Sequence, residues 1–321
     1  MDLFDSTYIG NLKVKNHFIR SATFEGKANK DGSPTNEILS IYQDLAKGGV
    51  GTIITSYAYI TDYEQPEKYQ LGIHKDELID SYKNLVDMVH SYDTKIIMQI
   101  AHGSSHSQAY PETAKILGPS AVPHPTSNIR PKEMTRQEIQ NVIKSFADAS
   151  QRVKDAGFDG VQIHCAHWYL LSQFISPLFN KRTDSYGGGT ENRLRIVMEV
   201  YQAVREKVGP DFPIWVKINS TDQEPDGLTV EDFLQMSKHL SKAGIDAIEI
   251  SGQWRKFDLD ERLYYKDAAI KLSKIVDTPI ILTGGVRSID DMAKVYGSST
   301  VNLFGLSRPL LKDPAYIKSL I

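Results

Sequence analysis

The stretch Gly160-Val161-Gln162-Ile163-His164-Cys165-Ala166-His167-Trp168-Tyr169-Leu170-Leu171 decides how the rest of the chain is read. Val161 and Ile163 are apolar at period two and follow Ala156-Gly157-Phe158-Asp159, a helix ending, so the stretch begins as a strand. It leaves that strand through His164, His167 and Tyr169, three groups able to donate a hydrogen bond. Such a strand buries its apolar half and presents the other half at a mouth. Two imidazoles can hold one carbonyl oxygen, and a phenol beside them can deliver a proton. The plainer alternative is a pair of satisfied loop histidines with Tyr169 in the core.

Outward from this stretch, one pattern repeats. Phe18–Ser21 reads as a first strand, followed by a helix from about Asn36 to Lys47 that Gly48-Gly49 closes. Gly51–Thr55 is a second strand, and Leu78, Tyr82, Leu85, Val86 and Val89 mark a helix by their 3/4 spacing. Lys95–Ile100 is the third strand. After a proline-containing connection, Thr135-Arg136-Gln137-Glu138 reads as a capping box opening a helix to Ala156-Gly157. Beyond the fourth strand come a long loop and a helix from about Glu191 to Lys207. Pro213–Ile218, Ala247–Ser251, Pro279–Thr283 and Val301–Phe304 are the fifth to eighth strands. Helices are expected from the Thr229 cap to Ala243-Gly244, near Tyr265–Val276, and after Ser288. Asp313-Pro314 is expected to start a closing helix.

Eight strands alternating with helices predict an α/β chain folded as a single (β/α)8 TIM barrel, one domain over residues 1–321. An open doubly wound sheet is the runner-up. No Gly-x-Gly-x-x-Gly opens a helix and there is no Gly-Lys-Ser/Thr loop, which argues against dinucleotide and P-loop sites. The net charge of −3 gives no electrostatic case for nucleic acid or an anionic membrane. The single cysteine, Cys165, excludes an internal disulfide framework and reads as a small packed side chain. With no signal-peptide core and no run of transmembrane length, a cytoplasmic protein is expected.

On the face where barrels keep their chemistry lie Gln99, ending strand three, and Lys217 in strand five. Gly284-Gly285 follows strand seven, and Gly305-Leu306-Ser307-Arg308 follows strand eight. Glycines at those last two loops favour phosphate, because free backbone N–H groups converge there, and Arg308 adds a bidentate cation. His102 reads as a loop anchor, and Arg182, Asp184, Glu191 and Arg193 as one structural ion-pair network. Trp168 either covers the mouth or packs. A metal-dependent barrel hydrolase using His164 and His167 stays open, although no carboxylate partner is evident.

Nearly the whole length resembles the Old Yellow Enzyme family of FMN-dependent NAD(P)H oxidoreductases, the ene-reductases. The resemblance rests on Asn16–Gly26, Gln99-Ile100-Ala101-His102-Gly103, Gly118-Pro119-Ser120-Ala121, His164–Tyr169 and the long block Leu171–Arg193. Gly284-Gly285 and Ser307-Arg308-Pro309 fit the family's phosphate site. The resemblance implies bound FMN, NADH or NADPH as hydride donor, and an activated alkene, quinone or similar small oxidant. A flavin-dependent NADH oxidase with no ene-reductase role is the alternative, and homo-oligomers are compatible with either. It further implies that Ser21, Ala22, Thr23 and Phe24 line the flavin edge, that Ala58 borders the ring, and that Gln99 bonds its pyrimidine part. Lys217 would sit near N1/O2, where many members have Arg. His164 and His167 would hold the substrate oxygen, and Tyr169 would be the proton donor. Phe24 stands where many members have Thr or Cys and cannot donate their hydrogen bond. Family relatives with an iron–sulfur cluster need more cysteines than this chain has.

Overall fold

Every strand of a closed parallel barrel is buried on both faces, so its residues divide between a core outside the barrel and one inside it. The computed structural model describes residues 2–106, 115–253 and 261–320. Its barrel strands are β1 (Phe18–Arg20), β2 (Thr52–Ile54), β3 (Lys95–Ala101), β4 (Gly160–Cys165), β5 (Ile214–Asn219), β6 (Ala247–Ser251), β7 (Ile280–Thr283) and β8 (Leu303–Leu306). Each pairs in parallel with its neighbour in sequence, and β8 returns to β1 with Phe304 opposite Phe18, which closes the ring. The expected (β/α)8 barrel is the observed fold, and the open sheet is excluded.

Around the barrel lie α1 (Asn36–Lys47), α2 (Ile79–His90), α3 (Arg136–Asp155), α4 (Leu170–Ile175), α5 (Thr190–Val208), α6 (Val230–Ala243), α7 (Lys266–Leu272), α8 (Ile289–Tyr296) and α9 (Arg308–Lys312). The sequence signals act as expected at several of their starts. The Thr135 hydroxyl accepts from the Glu138 N–H while the Glu138 carboxylate takes the Thr135 N–H, a complete capping box. Thr229 and Asp232 repeat it on α6. No helix among the described residues is long and apolar enough to cross a membrane.

Alternation along each strand sorts the side chains. Ile96, Met98, Ile100, Val161, Ile163 and Cys165 face outward into the core shared with the helices. Ile19, Ile54, Ile97, Trp215, Ala247, Ile281 and Leu303 form a separate cluster inside the barrel. Ile9 and Val14 join that inner cluster from an antiparallel hairpin, Thr7–Ile9 with Leu12–Val14. The hairpin therefore plugs the end of the barrel where the strands begin. One strand step beyond the inner cluster, the inward positions turn polar.

Several expected boundaries move. The eighth strand runs Leu303–Leu306 rather than Val301–Phe304: it starts late because its partner β1 begins only at Phe18, and Gly305 and Leu306 pair with Ile19 and Arg20 instead of lying in the loop. The closing helix is α9, with Pro309 in its first turn, whereas Asp313-Pro314 opens turns that lead to a 3₁₀ segment at Lys318–Leu320. The helix expected near Tyr265–Val276 stops at Leu272.

The hairpin plug makes a stability prediction. Ile9 is fully buried, so Ile9→Ala should lower the unfolding free energy by roughly 2–5 kcal/mol in urea titration. A loss below about 0.5 kcal/mol would mean that the hairpin does not pack as a plug.

Candidate active site

At the end of β4 the chain turns out of the barrel through two consecutive left-handed residues, His167 (φ 59°) and Trp168 (φ 61°). Bulky side chains rarely accept this conformation, and it persists only where surrounding bonds hold it. Those bonds are present. Asn219 Oδ1 accepts from the His167 N–H at 3.0 Å, and Asp222 Oδ1 accepts from the Trp168 indole at 2.9 Å. Gln173 donates to the Trp168 carbonyl at 2.8 Å. Asp222 also takes the Ser176 hydroxyl at 2.5 Å and the Leu228 N–H at 2.9 Å, so one buried carboxylate ties the β4 and β5 loops together.

The kink brings His164, His167 and Tyr169 to one cavity of about 320 Å³, within the range of small-molecule sites. Ala22, Gln99, Lys217 and Trp168 also line it, joined by Tyr57, His106, Thr126 and Gln253, which the sequence had not singled out. The rings of His164 and His167 stand 5.1 Å apart, and Tyr169 lies 4.7 Å from His164. His106 stacks on Tyr169 at 4.3 Å, and Tyr57 meets its edge at 5.2 Å. His167 Nε2 bonds Ser251 Oγ at 2.7 Å, whereas the buried Nδ1 of His164 has no partner among the described residues.

Burial, reinforced by His167, Lys217 and His106, pushes the His164 imidazole well below the usual histidine range. Burial and the same Lys217 and His106 do so for His167. Both are therefore neutral at pH 7, each with one N–H to donate.

Beneath the cavity runs a buried polar chain. Gln99 Nε2 donates to Gln162 Oε1 at 2.6 Å, and Gln162 Nε2 donates to Glu249 Oε2 at 2.7 Å. Glu249 Oε1 receives Ser21 Oγ at 2.5 Å, Thr283 Oγ1 at 2.7 Å and Lys217 Nζ at 2.9 Å. Lys217 also donates to Ser21 Oγ at 2.8 Å. Burial acts to raise the Glu249 carboxyl, but Lys217 and the hydroxyl donors prevail and hold it below the usual glutamate value. Glu249 and Gln162 were missed in the sequence, although each is a polar residue at an inward position of an otherwise apolar strand.

The remaining expected residues fall into place as follows. Ser21 belongs to the buried chain and Ala22 to the cavity wall. Thr23 joins Ser307 across the β1 and β8 loops at 2.9 Å. Phe24 is partly exposed and stacks on Tyr57 at 5.4 Å. Ala58 packs in the outer core, and its neighbour Tyr57 reaches the cavity. Gly284 and Gly285 both have positive φ and lie against the 262–265 segment, where an added Cβ at Gly285 would come within 2.5 Å of the Leu263 nitrogen. Arg308 donates to the Tyr264 hydroxyl and covers its ring, so the loops after β6, β7 and β8 converge.

The loop anchors differ in part from expectation. His102 is buried against Tyr63 and Glu64, as an anchor should be, and burial pushes it down to about 3. Cys165 is fully buried, and its thiol is pushed up. The four-residue ion network does not form. Arg182 grips Asp184, Arg193 instead pairs with Asp232 at 2.7 Å, and Glu191 faces His239, because α5 carries Arg193 away from the 182–184 turn.

Residues 2–320 match the family model for the NADH:flavin oxidoreductase / NADH oxidase family. The chain belongs to this family. A similar protein, an NADPH dehydrogenase of Bacillus cytotoxicus, is 32% identical over 320 residues, covering 98% of this chain and 90% of that one. An NADH oxidase of Thermoanaerobacter brockii is 32% identical over 330 residues, covering 99% of this chain, which spans only 50% of that protein's length. The solved Old Yellow Enzyme from Pichia sp. AKU4542 superposes with a TM-score of 0.82 at 25% identity, covering 99% of this chain and 86% of its own. With the family come its cofactors, FMN and NAD(P)H. Family membership displaces the hydrolase alternative. The donor set fits a flavin ring, because the cavity wall holds a lysine, an uncommitted amide edge on Gln99 and an unpartnered imidazole nitrogen.

Acid should test the neutral histidines. A histidine held below its unfolded value stabilises the fold above about pH 6.5, and that stability is lost as pH falls. For His102 the loss between pH 6.5 and 5 is about 2 kcal/mol. Denaturant melts of His102→Gln should show an acid limb shallower by that amount, and an unchanged limb would mean that His102 titrates normally.

Proposed function

We propose that this chain is an FMN-dependent NAD(P)H oxidoreductase that reduces an α,β-unsaturated carbonyl compound or a quinone-like acceptor. The observation that carries the reading is the pair of histidine rings 5.1 Å apart beside Tyr169, with the buried His164 Nδ1 unpartnered among the described residues. Bound FMN supplies the hydride exchange with donor and acceptor.

The chain's own residues supply binding and the proton. Gln99, Lys217, Ala22, Ser21, Thr23 and Phe24 would hold the flavin ring and its edge, and Tyr57, rather than its outer-core neighbour Ala58, would border it. Gly284, Gly285, Ser307 and Arg308 would hold the phosphate. Lys217 favours negative charge on the reduced ring. His164 and His167 would hold the acceptor's oxygen and draw electron density toward it, which leaves the β-carbon electron-poor. If Ser251 donates to His167 Nε2, the Nδ1–H of His167 is the free donor. Tyr169 would give its phenolic proton to the α-carbon, and at neutral pH a phenol carries that proton without tuning. Tyr57 meets the edge of the Tyr169 ring and would keep that side chain from turning away.

The purified protein should be yellow and bleach under anaerobic NADH or NADPH. A colourless protein that takes up no FMN would sink the reading, and turnover with oxygen alone would reassign it as an NADH oxidase. Tyr169→Phe should slow flavin reoxidation by 2-cyclohexenone roughly a hundred- to ten-thousandfold in stopped flow, the usual worth of a general acid. Reduction by NAD(P)H should be nearly unchanged. Equal slowing of both half-reactions would make Tyr169 a pocket-shaping residue instead. Arg308→Ala should weaken FMN binding by about 1.5–3 kcal/mol, and full affinity would remove Arg308 from the phosphate site.

A further inference from the structure

We propose that Glu249 is the positioning residue of the flavin site: it fixes which edge Gln99 presents to the cavity and offsets the charge of Lys217. The inference rests on the flavin reading above and adds to it a residue that touches neither cofactor nor substrate.

The orientation follows from donor and acceptor chemistry. A carboxylate can only accept, so Gln162 must turn its NH₂ group toward Glu249, where the separation is 2.7 Å. That turns the Gln162 carbonyl toward Gln99, which must answer with an N–H, at 2.6 Å. Gln99 is left with its carbonyl oxygen and its second N–H on the cavity wall. An acceptor beside a donor is the complement of a ring –CO–NH– edge. Reversing the first amide would reverse the second, so the polarity of the chain originates at the carboxylate two side chains away.

The charge follows from the same contacts. Lys217 commits two of its three N–H groups, one to Glu249 at 2.9 Å and one to Ser21 at 2.8 Å. Both charged groups are buried, where attraction is screened little. Glu249 therefore tempers the stabilisation that Lys217 gives to an anionic reduced ring. A purely structural ion pair would leave the flavin potential unmoved when the carboxylate is replaced by its amide.

The test is Glu249→Gln in the FMN-loaded protein, with the midpoint potential read by dye equilibration. Loss of the negative charge should favour the reduced form about tenfold, an upward shift of about 30 mV for a two-electron couple. FMN affinity should fall, because a glutamine at 249 no longer dictates the direction of the two amides. Gln162→Met should lower FMN affinity with little change in potential, since the Lys217 contact survives. A wild type that binds FMN together with a Glu249→Gln variant of unchanged or lowered potential overturns this inference alone. A wild type that takes up no FMN overturns the flavin reading and this inference with it. Should Glu249→Gln fold poorly, melts of the apoprotein still test the charge coupling on which the inference depends. Removing one partner of a buried pair strands the other, so Glu249→Gln with Lys217→Met should be more stable than the sum of the single losses. Strictly additive losses would overturn the coupling.

Discussion

A closed barrel gives its inner side chains no solvent, so a polar group placed there must find its partner among the other strands. This constraint governs the molecule from the core to the cavity. Near the strand starts the packed inner cluster is apolar, with Trp215, Ile97 and Ile281 meeting the hairpin residues Ile9 and Val14, and the buried Trp215 Nε1 and Thr52 Oγ1 are exceptions that have no partner among the described residues. One step further along the strands it is met by mutual bonding among Gln99, Gln162, Glu249, Ser21, Thr283 and Lys217. The pairing register makes this possible, because Gln99 stands opposite Gln162 while Lys217 stands between His164 and Glu249. The transition from apolar to polar marks the floor of the cavity.

Above that floor the same requirement is met by loops. Leaving a strand for a wall of the cavity puts His167 and Trp168 in a costly backbone conformation, on the order of 1–3 kcal/mol for each such residue. Asp222 and Asn219, from the end of β5 and the loop after it, supply the compensating bonds. Removing the Asp222 carboxylate would release the indole, the Ser176 hydroxyl and the Leu228 N–H together, so two loops would loosen as one.

Much of this was legible in the sequence, and the legible part has a common physical signature. Gln99 and Lys217 were legible from their places on the face where barrels keep their chemistry, and each is also a polar residue at an inward position of an apolar strand, which is costly unless it serves a purpose. Glu249 in Ala-Ile-Glu-Ile-Ser and Gln162 in Val-Gln-Ile carry the same signature and were open to the same argument. Asp222, Tyr57 and His106 were not. They sit in loops or at loop edges, where polar and aromatic residues are ordinary and only three-dimensional proximity distinguishes them. The eighth strand's start was misplaced because apolar Val301 continues the pattern, while the ladder obeys its partner's length. The Arg182 and Arg193 pairs show a further limit: opposite charges close in sequence need not share a partner once a helix separates them.

The hairpin at the base has a practical consequence. Asn11 at its turn bonds the Asp211 carbonyl ahead of β5, and Gly10 lies against Asp246 ahead of β6, so the N-terminal segment sits on the face opposite the cavity. An affinity tag, a fusion partner or a surface linkage attached at that end would leave the cavity mouth unobstructed. The protein could then be immobilised on a solid support with its cavity turned to the solution.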